Sequence, residues 1–475
     1  MNKIKLLFFL LFTINSNAQQ SLVLDSSFGV NGVKVVDLGY DNYHSRDVVV
    51  QNDGKIVVFG DAENIGQSSV GFVVRFNQNG SIDTNFGTDG HLITDRGVGV
   101  YAKSLYAIPS GKLLLLSENS VKQYNSDGSL DLTFGNLGSI EKYMPSIAIQ
   151  NDGKIIIAYR FFTFVGNRIK IERYYPDGTI DDTFNVNNTI FGESIYGGVD
   201  TPAKVIVRSD DKIILVDEIQ NSSFYSFKIT RLNPDGTPDG AEITSNGNMG
   251  MNGVYYELQN DDKLLVGAFD YHTIKAKKYN SDFSFDNSFG VAGVSSVFPN
   301  NTRTIALQND NKPFVIHNYG NGGIYTTTIY RINTDGTLDA TFDNDGTQNI
   351  QIATNTALFM NFYITNNSII TLGDTWTTAP GLKGFFIEKY NITTALANPE
   401  NQLTKQLSFF PNPVNDVITF TNIEAGESIK ITDMTGKIII NQILGSDKKI
   451  NVEMLSKGLY LIHLNNTKSI KFIKE

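Results

Sequence analysis

Short runs of branched and aromatic apolar residues alternate along this chain with clusters of Asn, Asp, Gly, Ser and Pro. "RDVVV" (46–50), "KIVVF" (55–59), "FVVRF" (72–76) and "HLIT" (91–94) are each as long as one strand and rich in β-branched residues. No window repeats its apolar positions at the helical period, so the pattern predicts an all-β protein. The turns repeat as well. "QNDGKIVVFG" at 51 returns as "QNDGKIIIAY" at 150, "QNDDKLLVGA" at 259 and "QNDNKPFVIH" at 308. Aligned on this hairpin, seven copies emerge, with Gly54, Gly111, Gly153, Asp211, Asp262, Asn311 and Asn367 at one turn position. A tight hairpin turn needs positive φ there, and Gly, Asn and Asp are the residues that tolerate it.

A second hairpin follows each first, as in "RFNQNGSID" at 75 and "RINTDGTLD" at 331, and a third signature overlaps it, as in "LDSSFGVNG" at 24 and "LDATFDNDG" at 338. Each unit of roughly 42–58 residues therefore holds four antiparallel strands, A to D, the size of a propeller blade. The chain opens with a D-type segment (24–36) and ends its repeats with A, B and C strands near 358–364, 368–373 and 384–391. This offset predicts a seven-bladed β-propeller over residues 19–396, closed where 33–36 pairs with the last C strand, which removes an exposed edge. The third signature has eroded in the fourth unit, near 238–247.

The recurring order "LDxxFGxxG … QxDGKIVV … RxNxDG" resembles the delta-60 repeat family over residues 22–393. The resemblance implies a propeller scaffold and assigns no reaction.

The two ends read as addresses. Lys3 and Lys5, an apolar stretch at 6–14 and the small residues Ser16-Asn17-Ala18 predict a secretory signal peptide over 1–18. No other apolar stretch is long enough to span a bilayer as a helix. Residues 397–404 read as a linker, and the alternating segments over 405–475 predict a small β-sandwich of about seven strands, with turns at 433–436 and 457–458. This tail closely resembles the type A C-terminal sorting domain of type IX secretion in Bacteroidetes. The matching residues are Pro411, Asn412, Pro413, Asp416, Asp433, Gly436, Lys437, Gly458, Tyr460 and Lys471. The resemblance implies Sec export, passage through the outer membrane, and the type IX machinery as partner of the tail.

Composition narrows the chemistry. There is no cysteine, so disulfides and thiolate sites are excluded. Net charge is −10; the first 18 residues carry +2 and residues 400–475 hold nine Lys against eight acids, which leaves −13 on 19–399. Such an acidic body repels phosphate backbones and argues against nucleic acid. No HExxH, GxSxG, P-loop or GxGxxG pattern occurs, and the five histidines are scattered. The "NxDGxxD" turns lack the ligand spacing of a calcium loop, so no metal and no cofactor is expected. A basic residue on every C strand but the second, where Gln123 stands (Arg75, Arg173, Arg231, Lys278, Arg331, Lys389), accompanies an acid opening each D segment (Asp83, Asp131, Asp181, Asp239, Asp286, Asp339, Asp25). Structural ion pairs are expected, with the repeated Phe (Phe28, Phe86, Phe134, Phe184, Phe289, Phe342) wedged between blades.

Antiparallel strands put the monotonous A–B and C–D turns on one face and the varied B–C and D–A loops on the other. Trp376, Tyr43, His44, Tyr196, Tyr271, His272 and Tyr319 fall on the varied side, where recognition ordinarily resides. The expectation is a secreted or surface-displayed, non-enzymatic propeller that binds an extracellular glycan or protein. The alternative is a secreted polysaccharide hydrolase or lyase with its site in the axial funnel.

Overall fold

The structure, a computed structural model, describes residues 19–94, 104–163, 166–184, 204–220, 225–244, 254–270, 273–295, 302–321, 324–350, 357–375, 383–395, 409–410, 413–420, 426–433, 437–464 and 468–475. The expected signal peptide and the expected linker lie outside these. Every described element is a strand. Gln20–Thr394 form one compact unit, and Ala395–Glu475 belong to the other.

Among the described residues of the first unit the strands group into seven antiparallel sheets. Sheet 1 runs Asn42–Val50, Ile56–Glu63, Val70–Phe76, His91–Thr94, and five more follow the same meander. In the third, three strands are described: Ser146–Ile149, Ile155–Thr163 and Gly166–Tyr174. Sheet 7 combines Ala357–Ile364, Ser368–Thr375 and Gly384–Ala395 with two strands from the start of the chain. Val33–Val36 pairs antiparallel with Gly384–Ala395, Val33 opposite Glu388 and Val36 opposite Phe385, as the offset of the repeats required. Gln19–Leu24, which the sequence reading had not assigned, joins the same strand. It straps this sheet to the sixth: Gln20 N–H donates to the Thr341 carbonyl (2.7 Å), and Leu22 N–H donates to Gln348 Oε1 (2.7 Å). The eroded segment of the fourth unit still forms a strand, Pro238–Thr244, with a register shift near its start.

The B strands are unbroken apolar runs because both of their faces are covered. Val57 and Phe59 pack toward Leu113 and Leu115 of sheet 2, while Ile56 and Val58 pack toward Leu372 and Phe385 of sheet 7. Further clusters of the same kind join each sheet to the next in chain order. The core therefore sits between sheets.

The repeated signatures are the fasteners of this packing. Phe28, Phe86, Phe134, Phe289 and Phe342 are at most 1% exposed. Phe86 lies against Gly128 of the next unit, whose φ is +88° and whose added Cβ would fall 2.9 Å from Gly87 N; Gly87 N–H donates to the Asp127 carbonyl (2.7 Å). The same arrangement joins Phe28 to Gly80, Phe134 to Gly178 and Phe289 to Gly336. Arg75 donates from Nε to Asp83 (2.8 Å), from Nη1 to the Ser126 carbonyl of the next unit, and lies over the Phe86 ring (4.5 Å). Arg173 repeats this with Asp181, Pro234 and Phe184, and Arg231 pairs with Asp239 and reaches Ser281. The expected ion pairs are thus present, and the arginines at 75, 173 and 231 also tie one blade to the next.

The second unit is a seven-stranded β structure in two sheets. Ser428–Asp433 and Ile438–Ile443 form the expected hairpin, closed by Asp433 N–H to the Lys437 carbonyl (3.0 Å). Gly458, expected in a turn, instead opens the strand Gly458–Leu464 opposite Lys474, with Tyr460 stacked on Phe472. Pro413, Asp416, Lys437 and Lys471 are exposed, and Pro411, Asn412 and Gly436 lie outside the described residues.

Candidate ligand-binding faces

On the tight-turn face most polar groups serve the fold. Lys55, Lys112, Lys212, Lys263 and Lys312 each reach the acid that opens their own D segment, at 2.6–3.1 Å. Neighbouring A–B turns are also bonded sideways. Asn151 N–H donates to Asp211 Oδ1 (2.8 Å), Ser209 N–H to Asp262 Oδ1 (3.0 Å) and Asn260 N–H to Asn311 Oδ1 (2.8 Å). Asp211, Asp262 and Asn311 have φ near +60°, so their choice satisfies the turn and also supplies a lateral acceptor that Gly cannot.

The opposite face is uneven. The B and C strands of sheet 2, Leu113–Leu116 and Ser120–Tyr124, have four and five residues, whereas those of sheet 3 have nine each. Four to five more residues per strand raise the sheet 3 hairpin by roughly 15 Å. On its flank Glu172 accepts from Tyr159 (2.9 Å) and Tyr174 (2.6 Å) and pairs with Lys142 and Lys170 (2.8 Å each). Burial opposes the charge, yet these donors hold the Glu172 pKa down to about 2.

The ligand residues expected from the sequence are only partly placed. Tyr43 is buried between Phe72 and Phe385; its hydroxyl donates to Asp37 and accepts from the N–H groups of Leu38 and Tyr40. Burial pushes its pKa up to about 12, and its ring is a core contact that shapes the 37–40 loop. His44 beside it is exposed. Tyr319 lies on Pro313–Asn321 opposite Thr326. Trp376, Tyr196, Tyr271 and His272 lie outside the described residues.

What the sequence reading missed is a set of polar groups on the inner strands. A bulge between Ser45 and Asp47 re-aims Arg46, whose Nε donates to Asp61 (2.9 Å). Asp374 is buried and accepts the Ser45 N–H on both oxygens (2.9 and 3.1 Å); burial raises its pKa to about 7. Asp47 accepts from Leu105 N–H (2.9 Å) and Asn361 Nδ2 (3.1 Å), joining the inner strands of sheets 1, 2 and 7. Burial raises Asp47 to about 6 and Glu257 to about 7, and the Lys204 ammonium pulls both partly back. No spacing rule flags these residues, because Asp374 and Ser45, Asp47 and Asn361, and Lys204 and Glu257 pair across different repeats and the fold alone gathers them. Among the described residues no three acid or imidazole groups converge as metal ligands, and no helix is long and apolar enough to cross a membrane.

The repeats match a family model described as "Domain of unknown function (DUF5122) beta-propeller" at 51–86, 150–184, 208–240 and 308–342, and residues 408–475 match "Secretion system C-terminal sorting domain". The chain carries DUF5122 propeller repeats and ends in a type IX sorting domain. It is accordingly a secreted or cell-surface protein. Comparison with curated proteins found no match. Solved structures similar to this chain include a streptogramin B lyase (14% identity, 76% of this chain and 97% of that one, TM-score 0.45). Polysaccharide lyase Uly1 is 10% identical over 80% of this chain and 98% of its own (TM-score 0.47). The Pan2 WD40 domain of Neurospora crassa is 9% identical over the same shares (TM-score 0.45). Likeness this distant carries none of their chemistry to this chain.

Proposed function

We propose that residues 19–396 form a closed seven-bladed propeller that acts as a non-enzymatic binding module, delivered by the sorting domain to recognise an extracellular glycan or protein. Closure is supported by the pairing of Val33–Val36 with the last C strand and by the apolar cluster shared between sheets 1 and 7. The binding reading rests on one observation: the repeated polar residues are largely consumed in blade-to-blade bonds on the turn face, while length and sequence vary on the opposite face. Binding of the full chain to arrays of glycans and surface proteins tests it. A hit lost in Trp376→Ala without change in melting supports the varied face. No hit on any array, together with turnover of a polysaccharide, overturns the reading.

A second reading, a polysaccharide hydrolase or lyase working in the axial funnel, draws on Asp47 and Glu257, two carboxyls with raised pKa facing one Lys204. Turnover abolished by Glu257→Gln, with folding intact, decides for it.

A further inference from the structure

Between the first two blades, on the turn face, lies a cleft of about 480 Å³, within the range of small-molecule sites. No such lateral bond closes it. Asn151 and Asn260 each donate their backbone N–H to the side chain of the next turn, Asp211 and Asn311, and their Nδ2 to the Ser209 and Asn309 carbonyls. Asn52 holds the same place in the first turn, but the next turn offers Gly111, where an added Cβ would have no neighbour closer than Ser126 at 3.9 Å. Among the described residues Asn52 therefore finds no acceptor. Gln51, only 7% exposed, donates Nε2 to the Gly111 carbonyl (3.0 Å), yet its Oε1 has no donor. In the sixth blade the matching Gln308 Oε1 is satisfied by Arg331 Nη2 (2.8 Å), whereas Gln259 Oε1, at a seam closed by the Asn260 bond, has no donor either. Here Arg75 bonds Asp83 and the Ser126 carbonyl from Nε and Nη1, leaving Nη2 for the cleft.

We propose that this cleft is a binding site for a hexuronate, a carboxylated pyranose of an acidic polysaccharide. The carboxylate takes the position that an Asp side chain at residue 111 would fill, accepting from Asn52 N–H and Arg75, and ring hydroxyls donate to Gln51 Oε1. A neutral sugar leaves the Asn52 and Arg75 donors unanswered, and a simple carboxylate leaves Gln51 unanswered and most of the cleft empty. Asp53 and Asp127 at the rim offset Lys55 and Arg75, which selects against ligands that bring charge alone. The site is independent of the varied face.

Calorimetric titration of the full chain with D-glucuronate, D-glucose and acetate at fixed ionic strength tests the proposal. Saturable binding of glucuronate is expected, with glucose and acetate at least about tenfold weaker. Gly111→Asn, able to cap Asn52, abolishes binding in a protein that still folds, at a stability cost set by the φ of +81°. Should that variant fail to fold, Asn52→Asp sets a like charge beside the carboxylate and weakens binding at least about tenfold. Lys228→Ala, on the fourth sheet and away from the cleft, leaves the affinity unchanged. Absence of glucuronate binding, acetate binding as tightly as glucuronate, or full affinity in a folded Gly111→Asn protein would each overturn the assignment.

Discussion

Replacing Phe28 by Ala tests whether the chain's start is an integral blade element. Phe28 is fully buried, and its ring lies against Gly80, whose φ is +79°; Gly29 N–H donates to the Asn79 carbonyl (2.8 Å). Phe134 occupies the matching place between units two and three, with Gly178 at φ +80° and Gly135 N–H bonded to the Asp177 carbonyl (2.8 Å). Removing a fully buried Phe ring costs about 3–5 kcal/mol, the sum of lost transfer energy and the cavity left behind. If residues 24–36 close the ring, Phe28→Ala and Phe134→Ala lose stability equally, because each opens a seam built from the same Phe and Gly. Guanidinium unfolding followed by far-UV circular dichroism reads both, compared by midpoint at constant slope. A Phe28→Ala loss under about 1 kcal/mol beside a full loss in Phe134→Ala refutes the reasoning, since it means the first blade's seam bears no load.

Asp181→Asn leaves the Arg173 guanidinium buried without its carboxylate and costs about 3–5 kcal/mol in the same assay, whereas Lys228→Ala, at a half-exposed pair, costs less than about 1. Asp374 carries a folded pKa raised to about 7 from 3.8, so its contribution is fully present below pH 4 and is lost as pH rises through 7. Asp374→Asn therefore flattens the melting-temperature profile between pH 4 and 8, by an amount whose ceiling is about 4 kcal/mol; an unchanged profile refutes the assignment. Asp262→Gly keeps the turn geometry but removes the lateral acceptor for Ser209, and loses about 1 kcal/mol by thermal melting. Deleting 405–475 leaves a folded propeller inside the periplasm of a type IX-competent host, which fractionation and immunoblotting of the medium check.

The periodic part of this protein was legible in the sequence because a repeat states the same local problem many times. Hairpin turns demand positive φ and strands buried on both faces read as unbroken apolar runs, so "QNDGKIVV" specifies a blade without reference to its neighbours. The offset of one D segment likewise announced the pairing of Val33–Val36 with the final C strand. Tertiary structure decided what the repeated polar residues are for. That Asp262 and Asn311 accept from the preceding turn, that Arg75 reaches the next blade's carbonyl, and that Tyr43 is core are facts about adjacent blades, which no single repeat encodes. The same holds for the inner strands. Asp47, Lys204 and Glu257 come from three different units and match no motif, and they meet only because the packing turns their strands inward. The cleft at Gly111 is the sharpest case: the sequence records one more permissible turn glycine, and only its neighbour across the blade boundary makes it an opening.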